Sequence, residues 1–147
     1  MAAARAARHR VDRKLLRILD ANLNRAREGL RVCEDVARLG YDDEEITAGL
    51  KRLRHRLNGL VRTLPLSWRD LLAARGSDRD VGRRTPHLTS QRGAGVRALF
   101  LVNAQRSKEA LRVLEEGARI FSPAAARRLA ALRFRLYDLE KRFACCR

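Results

Sequence analysis

One polar pattern occurs twice in this sequence, and its residue types and spacing could bind anionic substrates. The pattern is Asn-x-x-Arg-x-x-Glu, and the second copy follows the first after 81 residues. Its six residues are Asn22, Arg25, Glu28, Asn103, Arg106 and Glu109. Arginine binds phosphate with paired hydrogen bonds, carboxylates can hold Mg²⁺, and an asparagine amide can orient a polar substrate. The pattern therefore suits phosphoryl transfer, which depends on positioning and charge neutralisation.

Two further arginines, Arg54 and Arg133, lie on stripes of leucines at equivalent places, 79 residues apart. A charge taken out of water without a partner costs several kcal/mol. Each arginine must therefore be neutralised by a nearby Glu or Asp, or line a cavity that holds an anion. A structural Asn/Arg/Glu network is one interpretation, but the symmetric duplication of the whole set favours a binding site.

The duplicated pattern lies on amphipathic segments, which predict helices. At about 100° per residue, the apolar residues between Leu15 and Ala37 form one wide arc. Asn22 and Arg25 fall inside this arc, and we therefore expect them to point inward. The second copy repeats this placement, so arginines from both copies should meet in one enclosed cavity with an acidic rim. The expected rim consists of Glu28, Asp35, Asp80, Glu109 and Glu116.

Each copy is followed by a leucine-rich helix, and the chain is therefore a duplicated helical hairpin. We predict an all-α fold, namely a four-helix bundle with a pseudo-twofold axis and a long loop between its halves. A single domain covers 1–147, with repeat one at about 12–64, the connecting loop at about 65–95 and repeat two at about 96–143. The first helix should stop at Gly40, and the second should start with a cap at Asp42 and end before Pro65. The third helix should cover about 96–121, and the fourth should follow a cap at Ser122 and end near 143.

The connecting loop is long for a small helical domain, which is typical of functional or mobile segments. Its residues 67–72 predict a short helix. The segment Gly93-Ala-Gly95 could bring backbone N–H groups close to a phosphate, although as a motif it is weak. A solvated connector is the alternative interpretation.

Composition indicates an anionic partner. The chain has a net charge of +16, and only four of its 33 basic residues are lysines. This excess of arginine indicates that the partner is a nucleotide, a phosphorylated metabolite, a nucleic acid or an acidic lipid. No segment approaches the ~18 apolar residues of a membrane span, and we expect a cytoplasmic, reducing location.

Other kinds of catalytic centre lack support in the sequence. The three cysteines are too few and too badly spaced for a disulfide framework or a zinc site. Cys33 is expected in the core, while Cys145 and Cys146 have no evident role. The histidines, His9, His55 and His87, lack metal-binding or catalytic-triad partners at useful spacing.

The segment 20–35 closely resembles the signature of the all-helical hydroxymethylpyrimidine phosphate kinase family of thiamin biosynthesis. The segments 53–56, 80–82, 103–116 and 136–141 also resemble that family, in the same order. The resemblance extends from about 17 to 143. In that family the domain is often fused to the N-terminus of a thiamin-phosphate synthase barrel. Because the chain stops where the barrel would begin, we expect a stand-alone kinase or a fragment of a fusion protein.

The resemblance implies transfer of the γ-phosphoryl group of ATP, with Mg²⁺, to 4-amino-5-hydroxymethyl-2-methylpyrimidine phosphate, giving the diphosphate. The expected catalytic residues are Arg25, Arg106 and Asp80. The expected substrate- or phosphate-binding residues are Asn22, Glu28, Arg54, Asn103, Glu109 and Arg133. The expected Mg²⁺ ligands are Asp80, Glu28 and Glu109. Thiamin-phosphate synthase would be a functional partner, and the chain could form a homodimer.

The connecting loop departs from the family pattern at two positions. Gly76 follows Arg75 where the family has Asp, and Arg83 follows Asp80-Val-Gly82 where the family has Thr. A degenerate, non-catalytic relative is therefore one alternative. Two others are an arginine-lined isomerase of the chorismate-mutase type and a basic nucleic-acid-binding protein. Against the last of these stand the low aromatic content and the expectation that the unusual arginines point inward.

Overall fold

The structure, a computed structural model, describes residues 11–84 and 95–145. It is all-α over these ranges, as the sequence predicts, and no strand occurs in them. The helices are α1 (Arg13–Asp35), α2 (Glu44–Arg62), α3 (Trp68–Ala74), α4 (Val96–Arg119) and α5 (Pro123–Cys145). A π-helical turn, Val36–Gly40, extends α1, and two short 3₁₀ turns, Ser77–Arg79 and Val81–Arg84, follow α3.

Side-chain caps fix several helix starts. The hydroxyl of Ser67 accepts the N–H of Asp70 at 3.0 Å, and the hydroxyl of Ser122 accepts the N–H of Ala125 at 3.3 Å. The predicted cap at Ser122 is therefore confirmed, with Pro123 at the first helical position, where its missing N–H costs nothing.

The predicted cap of α2 is wrong by one residue. Asp43, rather than Asp42, accepts the N–H of Ile46, at 2.9 Å. Asp42 has a φ of 51°, in the left-handed region, because the chain must turn sharply between the π-helical turn and α2. Two adjacent aspartates carry the same capping chemistry, and only the geometry of the turn selects between them.

The four long helices form a ring in which each contacts two neighbours. α1 packs against α2 and α4, and α5 packs against α2 and α4, whereas no close backbone contact joins α1 to α5 or α2 to α4 in the described ranges. The α1–α4 side and the α2–α5 side are therefore opposite faces of the bundle. The predicted four-helix bundle has this arrangement.

Contacts along α1 and α4 show that the two helices are antiparallel. Cys33 near the end of α1 donates its thiol to the carbonyl of Phe100 near the start of α4, with 3.4 Å between sulfur and oxygen. Midway along, Ser107 donates to the carbonyl of Ala26 at 3.5 Å. Since Ala26 and Ser107 are equivalent positions of the two repeats, the pseudo-twofold axis passes between them.

The core consists of leucines and alanines from all four long helices, closed at one end by two stacked rings. The centroids of Phe100 and Phe143 lie 3.7 Å apart. Cys33 is buried, as predicted, and burial raises the pKa of its thiol to about 12, with Glu140 adding to the effect. This cysteine is therefore a small apolar core residue.

The first half has an additional element that fixes the connecting loop to α1. Leu71 and Ala74 of α3 are buried against the bundle. Directly after α3, Arg75 donates two hydrogen bonds to the carboxylate of Asp20, at 2.7 and 2.8 Å. Residues 85–94 lie outside the described ranges, and with them most of the predicted Gly93-Ala-Gly95 phosphate contact.

Candidate functional site

Arg54 and Arg133, both partly buried, form ion pairs with buried glutamates of the preceding helix. Arg54 donates to Glu34 at 3.0 and 3.3 Å, and Arg133 donates to Glu115 at 3.1 and 3.0 Å. The two pairs occupy equivalent positions of the two repeats. The interpretation as neutralised charges is therefore confirmed at these positions, and the expected placement of these guanidinium groups on an anion cavity is wrong.

Glu115 is held by more arginines than its equivalent Glu34. Burial raises the pKa of the Glu115 carboxyl, but hydrogen bonds from Arg119 and Arg133 outweigh burial and lower the pKa overall. The residue equivalent to Arg119 is Arg38, which is exposed and lies in the π-helical turn. The wider turn shifts Arg38 away from Glu34, so the first repeat lacks this contact.

Arg25 and Arg106 are exposed, contrary to the expectation that they point into the core. Their backbone positions lie at the margin of the apolar arc, beside the neighbouring helix. A long arginine side chain can extend from such a margin into water and keep its charge solvated. Because these arginines do not point inward, that particular reason against nucleic-acid binding is lost.

Asn22 and Asn103 lie inward as predicted, with only 7% and 8% of their surfaces exposed. Each side-chain amide donates to the carbonyl four residues earlier, Asn22 to Ile18 at 2.9 Å and Asn103 to Leu99 at 2.8 Å. Because α1 and α4 are antiparallel about Ala26 and Ser107, the two asparagines lie at equal distances on opposite sides of the pseudo-twofold axis.

Four of the predicted residues, Arg25, Glu28, Arg106 and Glu109, lie on one surface, the α1–α4 face, which consists of the exposed sides of α1 and α4. Because the two helices are antiparallel about Ala26 and Ser107, Arg25 lies near the level of Glu109, and Arg106 lies near that of Glu28. All four are exposed. Glu109 accepts a hydrogen bond from Gln105 at 2.8 Å.

The arginines of the α1–α4 face are free to bind a ligand. Within the described ranges, neither Arg25 nor Arg106 makes a side-chain hydrogen bond or ion pair, unlike Arg54 and Arg133. Apolar residues stand one heptad before and after each of them, on the same side of the helix. These residues are Ile18 and Val32 on α1, and Leu99 and Val113 on α4.

The expected enclosed cavity lined by inward arginines does not form in the described ranges, because Arg25 and Arg106 are exposed and Arg54 and Arg133 are paired with glutamates. A cavity of about 1180 Å³ lies at one end of the bundle. The residues that line it come from the start of α1, the α2–α3 connection, α3 and Phe121. None of the predicted site residues is among them.

Asp80 lies between the two 3₁₀ turns, exposed, and its carboxylate accepts the N–H of Gly82 at 2.9 Å. The described ranges contain no group of three or more His, Cys, Asp or Glu residues arranged to hold a metal ion. Glu28, Asp80 and Glu109 thus form no protein cage for a cation. This donor set suits Mg²⁺ only in the manner usual for nucleotide enzymes, with one or two carboxylates and the remaining ligands from substrate phosphates and water.

The model of the ThiD2 family matches residues 17–142, which is most of the chain. The chain belongs to the ThiD2 family. Two relatives are named thiamine-phosphate synthase. The protein from Synechocystis is 43% identical over 126 residues, which are 86% of this chain and 35% of the relative. The protein from Synechococcus is 40% identical over 130 residues, which are 88% of this chain and 35% of the relative.

This ThiD2 chain spans about a third of the length of the curated relatives that it matches. The family and the names of the relatives associate it with thiamin biosynthesis. No solved structure matches it. Among the described residues of this ThiD2 chain, no helix is both long and apolar enough to cross a membrane.

Among the polar contacts of this ThiD2 chain that the sequence does not predict, two buried carboxylate or ammonium groups break the symmetry of the repeats. The Asp20–Arg75 pair occurs in the first half. In the second half, the buried Lys108 donates to Glu140 at 2.5 Å and lies 4.8 Å from the ring centroid of Tyr137. Aligning the repeats could have drawn attention to Lys108. Its equivalent in the first repeat is Arg27, so both repeats have a cationic side chain at this position. The Asp20–Arg75 contact spans 55 residues, and no sequence signal predicts it.

Proposed function

We propose that this ThiD2 chain transfers the γ-phosphoryl group of ATP to 4-amino-5-hydroxymethyl-2-methylpyrimidine phosphate, giving the diphosphate for thiamin biosynthesis. One observation carries the proposal. Two copies of Asn-x-x-Arg-x-x-Glu lie on α1 and α4 of this ThiD2 family member, and their arginines are exposed on the α1–α4 face and unpaired in the described ranges. Two equivalent anion-binding positions suit a reaction in which both substrates carry phosphate.

The chemistry requires charge neutralisation more than proton transfer. An oxygen of the acceptor phosphate, already largely ionised at neutral pH, forms the new bond to the γ-phosphorus, while the bond to the β-phosphate oxygen breaks and ADP leaves. Repulsion between the two anions is the main obstacle. Arg25 and Arg106 would each bind one phosphate bidentately, and this electrostatic stabilisation would lower the barrier.

Neighbouring residues of the α1–α4 face suit the rest of the substrate. Ile18 and Leu99, each about half exposed, lie toward opposite ends of this face, and either one would cover one side of the pyrimidine ring. Asn22 and Asn103 would orient the substrate through their amide oxygens. Mg²⁺, held by ATP together with Glu28 or Glu109, would offset the phosphate charge, and Asp80 is the further candidate ligand.

The proposal is tested by measuring ADP formation with the pyrimidine phosphate as acceptor and the unphosphorylated alcohol as control. We expect Arg25→Ala and Arg106→Ala each to lower turnover at least about tenfold, equivalent to ~1.4 kcal/mol in the barrier. Arg127→Ala is the matched control. Arg127 is exposed on α5 and has no described partner, so its removal lowers the net charge equally and should leave turnover unchanged.

Circular dichroism should show that all three variants keep the helical fold, because the substituted side chains are exposed. Wild-type turnover in both Arg25→Ala and Arg106→Ala would move the site away from the α1–α4 face. No ADP formation by the wild-type chain would reject the kinase and favour the non-catalytic alternative.

A further inference from the structure

A small cleft on the α2–α5 side, opposite the α1–α4 face, is lined by arginines. Its volume is about 260 Å³. The lining residues are Gly49, Arg52, Leu53, Arg56, Leu132 and Arg135. Leu53 and Leu132 are buried and form its floor, while the three arginines are exposed and form its walls. The cleft is therefore a small site with an apolar floor and a cationic rim.

The cleft lies on the pseudo-twofold axis. Arg56 and Arg135 are equivalent positions of the two repeats, as are Leu53 and Leu132. Antiparallel packing of α2 and α5 is fixed on one side by Gly49, where an added Cβ would lie 2.5 Å from a methyl carbon of Leu139. Gly49 thus allows α2 and α5 to approach closely beside the cleft.

No carboxylate lines the cleft. The three arginines make no side-chain hydrogen bond or ion pair within the described ranges. Two glutamates of the same helices are engaged elsewhere, since Glu45 pairs with Arg142, and Glu140 pairs with Lys108. Three like charges around one small space repel each other, and an anion in that space would convert repulsion into attraction.

We propose that this cleft binds a phosphate or diphosphate anion. The forked guanidinium group matches the geometry of phosphate oxygens, and three such groups can contact one tetrahedral anion. The volume lies below the range of about 300–1,000 Å³ typical of sites for whole cofactors. The ligand is therefore the free anion or the phosphate end of a larger molecule. This site is separate from the α1–α4 face, and its occupancy requires neither ATP nor the pyrimidine.

The test is calorimetric titration of the full chain with inorganic phosphate and with pyrophosphate, at constant ionic strength and without nucleotide. The wild-type chain should bind one equivalent of anion. Arg56→Gln and Arg135→Gln should each weaken binding at least tenfold, and Arg52→Gln provides an independent third variant. Arg127→Gln removes the same charge away from the cleft and should leave the affinity unchanged.

Thermal unfolding gives a second measurement. Without phosphate, Arg56→Gln should melt above the wild-type chain because repulsion is relieved, and phosphate should raise the melting temperature of the wild-type chain more than that of the variant. If Arg127→Gln weakened binding as much as the cleft variants do, the effect would come from net charge alone and the proposal would be overturned. Unchanged affinity in all three cleft variants would also overturn it. Because the titration contains no nucleotide, its failure leaves the proposed kinase untouched.

Discussion

Glu115 is a buried carboxylate with three arginine partners, Arg112, Arg119 and Arg133. Its side chain is 3% exposed, and that of Arg133 is 11% exposed. Two charges in such an environment are stabilising mainly as a pair, because removal of one leaves the other without compensation. The pair therefore fixes how α4 and α5 pack against each other.

We expect Glu115→Gln to lower the free energy of unfolding by ~3 kcal/mol at neutral pH. The pKa of Glu115 is lowered from 4.5 by folding, so its contribution is present above the unfolded value and is lost as pH falls through the folded one. Denaturant unfolding of the wild-type chain should therefore show a decline in stability below about pH 4.5 that is smaller in the variant.

Glu116→Gln is the matched control for this substitution. The neighbouring Glu116 is 47% exposed and also contacts Arg112 and Arg119, but an exposed pair contributes only about 0–1 kcal/mol. A loss in Glu116→Gln as large as that in Glu115→Gln would contradict the assignment of the stability to the buried pair.

At the residue scale, the sequence predicted which side chains are unusual better than it predicted where those side chains point. It identified Arg54 and Arg133 as charges that need neutralisation, and it placed Asn22 inward correctly. It placed Arg25 inward wrongly, because a helical projection gives only the angle of the Cα atom. Whether a long side chain at the margin of the arc turns into the core or into water depends on the neighbouring helix.

At the scale of elements, the distance between α1 and α4 depends on small residues. Gly29 lies where an added Cβ would be 2.2 Å from the hydroxyl oxygen of Ser107 and 2.9 Å from the carbonyl oxygen of Asn103. The serine can rotate, but the backbone carbonyl cannot move without shifting α4. Gly29 therefore permits the close packing on which the α1–α4 face depends.

We expect Gly29→Ala to lower the free energy of unfolding by about 1–3 kcal/mol, the usual cost of overpacking. Gly59→Ala is the opposite case. An added Cβ at Gly59, within α2, meets no atom within 4 Å, so the better helix former should stabilise the chain by about 0.4–1 kcal/mol. Denaturant unfolding measures both. A gain in stability from Gly29→Ala would mean that α1 and α4 are not closely packed.

Helix boundaries were largely predictable because caps, prolines and apolar stripes are local signals. The third helix was expected over about 96–121, and α4 covers Val96–Arg119. The π-helical turn at Val36–Gly40 was not predicted. The glycine and the apolar spacing indicate that the helix ends there, but they do not indicate the hydrogen-bonding pattern of its last turn. That turn explains why Arg38 and Arg119 differ in their contacts despite equivalent positions.

At the scale of the whole molecule, the duplication produces two opposite faces on one axis, with different arginine environments. The sequence predicted the duplicated bundle, because equivalent leucines and polar residues recur in register. It did not predict how charges divide between interior pairs, the α1–α4 face and the α2–α5 cleft. That division depends on the relative rotation of four helices, which no single helix encodes.

The two halves should depend on each other for folding, although each contains a complete hairpin. The most extensive packing joins α1 of the first half to α4 of the second, and the ring of Tyr41 in the first half packs edge-on against that of Phe143 in the second, with centroids 5.1 Å apart. A hairpin alone would expose the leucines of this interface, and a small core offsets little of the conformational entropy lost on folding. We therefore expect fragments 11–84 and 95–145 to have little helix separately and to regain it when mixed in equal amounts.

Circular dichroism of each fragment and of the mixture tests this expectation, with size-exclusion chromatography to determine composition. Gly29→Ala in the first fragment should weaken the association, whereas Gly59→Ala should not, because only Gly29 lies at the interface between halves. Cooperative unfolding of fragment 11–84 as a monomer would show that α1 and α2, with α3, suffice for a stable core. The bundle would then consist of two independently stable units, and the close α1–α4 packing would be a consequence of folding instead of its requirement.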